Sequence, residues 1–151
     1  MEQEKLSKIK EITEGLIEKM GLDGQATVVE GADLGAVVQI ASQEAGYLIG
    51  RNGDNLKAIQ QLVRALVSKQ IVDAPRLTLD VNNYQQERLD MLKDTALGAA
   101  RQVASYGTVR SLPPMNSYER RVVHTALAGI PGIKTESEGE GEERRIVIRP
   151  A

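Results

Sequence analysis

Tyr47-Leu48-Ile49-Gly50-Arg51-Asn52-Gly53-Asp54-Asn55-Leu56 decides how the rest of this chain is read. It has the pattern of a short helix ending, a four-residue turn with glycine at both corners, and a long helix starting. Glycine at the first corner can take the left-handed backbone that ends a helix, and glycine at the second lets a partner's backbone approach closely. Asp54 is expected to accept hydrogen bonds from the first amides of the next helix. Arg51 and Asn52, a cation and an amide donor, lie beside a helix N-terminus that favours anions. Such a turn suits a phosphodiester backbone. It equally suits a plain helix-to-helix connection with no ligand.

Spacing alone does not choose between these. With 14 glycines in 151 residues, G-x-x-G arises about once by chance, and it occurs here three times. Gly21 to Gly24 and Gly129 to Gly132 hold no cation between the glycines. Only the copy at Gly50 has helical patterns on both sides, and Gly21 to Gly24 reads as a helix stop.

The 41% hydrophobic content of 151 residues is enough for one ordinary domain or two small ones. The chain has no cysteine and one histidine, so disulfides, thiolate or multi-imidazole metal sites and cysteine nucleophiles are excluded. That composition fits a reducing cytoplasm. No apolar run reaches the length of a membrane span and Met1 to Lys10 is charged, so neither insertion nor secretion is expected. The net charge of −2 hides an uneven distribution. Residues 1–46 hold 4 basic against 9 acidic side chains, residues 47–134 hold 12 against 7, and residues 135–151 hold 3 against 5. The turn at Gly50 opens the basic block. Phe and Trp are absent and Tyr occurs four times, so a stacking platform of the RNA-recognition-motif kind is unavailable, and any single-strand binding is expected to rely on phosphate contacts, helix ends and aliphatic surface.

From Glu4 to Met20 the residues Leu6, Ile9, Ile12, Leu16, Ile17 and Met20 recur at helical spacing. Ala26 to Glu30 and Ala36 to Ala41 read as strands joined by the loop Gly31 to Gly35. A short helix follows from Ser42. After the turn, Leu56, Ile59, Leu62, Val63, Leu66 and Val67 form a core stripe, with Lys57 outside it. Pro75 to Val81 alternates as a strand. This order resembles a KH domain of the second, bacterial type, whose G-x-x-G turn lies between two helices and clamps about four nucleotides. The resemblance implies that Ile49, Gly50, Arg51, Asn52, Gly53 and Lys57 contact nucleic acid.

Asn82 and Asn83 can start a further helix, with Leu89, Leu92, Ala96, Ala99, Ala100 and Val103 inward and Gly107 as its stop. Thr108 to Leu112 is extended, and Pro113-Pro114 delays the next helix until Asn116. There, Asn116 and Glu119 form a capping box. Ile133 to Glu136 and Arg144 to Arg149 read as strands around a loop, Ser137 to Glu143, whose Glu and Gly suit a solvated hairpin tip better than a metal site. On the helix after Asn116, Val122, Val123, Ala126, Leu127 and Ile130 share one face. Arg120, Arg121, His124 and Thr125 lie across from it. Two guanidiniums and an imidazole can hold a phosphate. An ordinary charged surface with a half-buried histidine has the same pattern.

Arg120 to His124 fits the Arg-x-x-x-His (R-3-H) domain, a small α/β module associated with single-stranded nucleic acid. The run Leu112 to His124 and the tail Thr135 to Ile148 resemble the form of this domain in the Jag family, also called KhpB, EloR or SpoIIIJ-associated. These bacterial proteins place a KH domain directly before it. The resemblance implies an α+β chain with a KH domain over residues 1–81 and an R-3-H domain over residues 82–151. It implies a cytoplasmic binder of single-stranded RNA, with single-stranded DNA as a further ligand, acting in post-transcriptional regulation or cell elongation. A partner made of a KH domain alone, or a homodimer, is the other role it implies. No cofactor, metal or enzymatic activity is expected, since His124 has no second base or paired carboxylate to complete a site. Family members often carry an additional N-terminal domain, where this sequence has only the helix from Glu4 to Met20. They often carry two cations between the glycines, where this sequence has Asn52.

Overall fold

The computed structural model describes residues 2–31 and 35–151. The tip of the first expected hairpin loop, residues 32–34, lies outside the described residues. The chain divides into two compact units, residues 1–85 and 86–151.

In the first unit, helix α1 (Gln3–Lys19) turns Ile9, Thr13 and Ile17 inward. Thr13 is tolerated in this row because its hydroxyl donates to the Ile9 carbonyl at 2.8 Å, leaving no unpaired donor. Gly21 has φ 77. Its N–H bonds the Glu18 carbonyl at 2.9 Å, and that of Leu22 bonds the Ile17 carbonyl at 3.2 Å, which closes the helix as its glycine signal requires. Strands β1 (Gln25–Glu30) and β2 (Ala36–Ala41) pair antiparallel, and β3 (Leu77–Val81) lies parallel to β2 in a sheet ordered β1-β2-β3. A parallel partner needs a long crossover. Helices α2 (Ala45–Ile49) and α3 (Asp54–Gln70) supply it.

Alternation along the strands sends Ala26, Val38, Ile40, Leu77, Leu79 and Val81 into one core with Ile9, Ile17, Leu56, Ile59, Val63 and Val67. Leu62, expected in the α3 stripe, is 52% exposed. At 100° per residue it stands well off the line through Leu56, Ile59, Val63 and Val67. Helix α2 is also shorter than expected. Ser42 lies outside it, accepting from the Glu44 N–H at 2.9 Å and donating to the Asp23 carbonyl. The outer edge of β3 is covered by α3 side chains, with Gln60 accepting from the Leu79 N–H at 2.9 Å and Arg64 donating to the Leu77 carbonyl at 2.8 Å. An edge so occupied offers no template for another strand.

After β3, Asn82 and Asn83 are both left-handed, with φ 49 and 61, and do not themselves begin the helix. Buried Asp80 accepts from the Gln85 N–H at 3.2 Å and serves the first turn of α4 (Tyr84–Tyr106) instead. Asn82 exchanges two hydrogen bonds with the Ser42 backbone, at 3.0 and 2.8 Å.

In the second unit α4 turns Leu92, Ala96, Ala99, Ala100 and Val103 inward. Strand β4 (Arg110–Ser111), helix α5 (Ser117–Leu127), and strands β5 (Ile133–Glu138) and β6 (Arg145–Pro150) follow. The sheet is ordered β4-β6-β5, with β6 antiparallel to both neighbours. Its inward residues Ile146 and Ile148 meet Val123, Leu127 and the α4 row. On the other face, Val147 of the middle strand is buried, and an ion-pair ladder of Lys134, Glu136, Glu138 and Arg149 runs over β5 and β6. Gly139 (φ 92) turns the β5–β6 hairpin. Among the described residues no group of His, Cys, Asp or Glu is placed to hold a metal ion. The architecture is α+β, with helices against one face of each three-stranded sheet.

Candidate nucleic-acid interface

The Gly50 turn requires its sequence. Gly50, at φ 72 and ψ −172, occupies a region essentially closed to residues with a side chain. Asn52 (φ 53) and Gly53 (φ 82) are left-handed too. Three of the four turn residues therefore have positive φ, and asparagine is among the few non-glycine types that adopt it readily. That is a physical reason for Asn52 where a second cation would add strain. Ile49, the last residue of α2, is half-buried against the first core. The Gly53 N–H closes the turn on the Gly50 carbonyl at 3.4 Å.

Two side chains brace the turn from behind. Asn55 donates from Nδ2 to the Tyr47 carbonyl at 2.9 Å, and a Cβ at Gly50 would stand 2.6 Å from Asn55 Cγ. A Cβ at Gly53 would meet the Tyr84 ring at 3.2 Å. Asp54 does not cap α3 as expected. Gly53 holds the cap position, no side chain caps it, and Asp54 is the first helical residue. Its charge still favours the helix N-terminus. Arg51 and Asn52 are exposed, as is Lys57 one turn into α3.

On α5 the capping box forms in full: Asn116 accepts from the Glu119 N–H at 2.8 Å, and Glu119 accepts from the Asn116 N–H at 3.0 Å. The other oxygen of the buried Glu119 carboxylate pairs with Arg88 of α4. The three basic side chains of the motif differ in their surroundings. Arg120 is half-buried and donates to the Met115 carbonyl at 2.6 Å and to Ser117 Oγ at 3.1 Å. Two of its nitrogens thereby secure the start of its own helix. Arg121 is exposed. His124 is exposed and shares a hydrogen bond from Nδ1 with the Thr135 hydroxyl on β5, which fixes the ring's orientation.

Residues 7–81 match the family model described as KhpA/KhpB, KH domain, and residues 90–150 match that of the R-3-H domain. The RNA-binding protein KhpB of Clostridium symbiosum is 37% identical over 111 residues, covering 74% of this chain and 50% of that protein. The RNA-binding protein KhpB of Bacillus subtilis is 35% identical over 111 residues, covering 72% and 53%. That of Streptococcus pneumoniae is 30% identical over 111 residues, covering 74% and 34%. The chain belongs to the KhpB family. It spans about half the length of the first two relatives and about a third of the third.

Within this KhpB-family chain, the KH match contains the braced turn and the R-3-H match contains α5. The residues that sequence reasoning missed are supports: Asn55, Tyr84, Thr135, and Arg88 as partner of Glu119. Asn55, two residues past the second glycine, carried a local signal. The others depend on contacts between elements.

Proposed function

We propose that this chain binds single-stranded RNA without chemistry, through modules spanning residues 1–81 and 82–151, each carrying one grip on the backbone. In the first, Arg51, Asn52 and the helix start at Gly53 face the phosphates, Lys57 extends the contact, and Ile49 and Gly50 shape the floor. In the second, Arg121 and His124 contact the strand directly while Arg120 positions the helix that bears them. The observation that carries this reading is the turn itself. Positive φ at Gly50, Asn52 and Gly53, braced by Asn55 and Tyr84, leaves Arg51 and Asn52 exposed beside the start of α3. The names of the relatives, RNA-binding proteins, agree with it. Control of transcripts after their synthesis is the corresponding cellular role.

The test is titration of the purified chain with short unstructured RNA across a salt series. Three to five neutralised phosphates predict a slope of log K on log salt of roughly −2 to −3.5. The double substitution Arg51→Asp with Asn52→Asp places two anions in the seat and should abolish most binding. If this variant keeps the wild-type circular dichroism and RNA affinity, the KH turn is not the site. Absence of RNA binding beside a stable complex with another KH module would favour a protein-interaction role instead.

A further inference from the structure

The chain holds four tyrosines and neither Phe nor Trp, so its whole aromatic complement can be placed. Tyr84 is half-buried behind Gly53. The other three are among the most exposed large hydrophobic residues described: Tyr47 at 71%, Tyr106 at 79% and Tyr118 at 58%. Their rings are largely unpacked, so burial in the two cores does not account for their presence. Two of them sit beside the proposed grips. Tyr47 is on α2, three residues before Gly50, and its carbonyl is held by Asn55 across the turn. Tyr118 is on α5, three residues before Arg121, and residues at that spacing are neighbours on a helix surface. Each grip therefore has, within four residues along the chain, an exposed ring and an exposed cation.

A phosphate contact is blind to the base attached to it. An exposed ring within a nucleotide's reach of that contact meets the base, and every base offers a π-face to stack on it. Resting on the RNA-binding reading above, we propose that Tyr47 and Tyr118 are base-stacking residues. Each receives one unpaired nucleobase of the strand whose backbone is held by the adjacent cation, Arg51 in the first module and Arg121 in the second. Recognition would then use one ring per module, in place of the multi-base sheet platform that this composition excludes. The tyrosine hydroxyl is not needed for stacking, so phenylalanine should serve as well.

The experiment uses the full chain, an unstructured oligoadenylate RNA, and an abasic ribose-phosphate strand of the same length. Tyr47→Ala and Tyr118→Ala should each weaken oligoadenylate binding by roughly 5- to 150-fold, leave abasic-strand binding unchanged, and keep the wild-type circular dichroism. Tyr47→Phe and Tyr118→Phe should bind as wild type. Tyr106→Ala, on a helix with neither grip, should have no effect. Wild-type RNA affinity in both alanine variants, an equal loss on the abasic strand, or an equal loss in Tyr106→Ala would overturn the stacking role while leaving RNA binding intact. A wild-type chain that binds neither strand would overturn both readings.

Discussion

Arg120 Nη1 donates to the carbonyl of Met115 at 2.6 Å, so the first arginine of the Arg-x-x-x-His motif anchors the loop that leads into its own helix. Its neighbour Arg121 is exposed. Adjacent residues of one type thus stand in different surroundings. Arg120→Ala should lower stability by about 1–2 kcal/mol, the low end for a charge-assisted hydrogen bond because the site is only half-buried. Arg121→Ala should stay within about 0.5 kcal/mol of wild type. It should also reduce the salt slope of RNA binding by about 0.7. Urea unfolding followed by circular dichroism, with RNA titrations at several salt concentrations, separates the two outcomes.

The corners of the Gly50 turn should not be equivalent. At Gly50 a methyl group meets both a forbidden backbone region and Asn55 Cγ at 2.6 Å, whereas at Gly53 it meets a left-handed backbone and the edge of the Tyr84 ring at 3.2 Å. Gly50→Ala should cost about 2–3 kcal/mol and Gly53→Ala about 1–2 kcal/mol. Equal unfolding midpoints for the two variants would contradict this bracing.

Arg88 and Glu119 join α4 to α5, with side chains only 15% and 8% exposed. Removing one member strands the other in a poorly hydrated place. Arg88→Ala should therefore destabilise the second unit by about 3 kcal/mol. Glu119→Gln retains an acceptor for the Asn116 N–H and should cost less. A double-mutant cycle built on these two substitutions should return a coupling energy above about 0.5 kcal/mol. Additive effects would show that the pair is not a unit.

Gln60 satisfies the Leu79 N–H on the outer edge of β3. Gln60→Ala should destabilise by about 1 kcal/mol and reopen that stretch of edge. Native-state hydrogen exchange at Leu79 should accelerate in the variant while amides in the middle strand β2 change only with global stability.

Most elements were legible because their signals act over a few residues. The apolar rows of α1, α3 and α4 follow the helical period, Gly21 and Gly107 carry the positive φ of helix stops, and the Asn116–Glu119 box is a contact across three residues. The Gly50 turn was readable for the same reason, since glycine spacing and the residues between are local chemistry. At two helix starts a neighbouring residue stands where another was expected. Asp54 was expected to cap α3, but Gly53 already holds that position. Asn82 and Asn83 were expected to start α4, but Asp80 serves its first turn.

Only the assembled fold decided which side chains stand behind the site and which remain outward. Arg88 reaches Glu119 across 31 residues, Gln60 reaches Leu79 across 19, and Thr135 reaches His124 across 11. These pairings depend on where sheets and helices bring distant backbone together, which periodicity and capping cannot encode. The sequence by itself therefore determined the elements, their order and the chemistry available at two helix ends. The tertiary structure joined Arg88 to Glu119 and His124 to Thr135, because those contacts form only once separate elements have packed against one another.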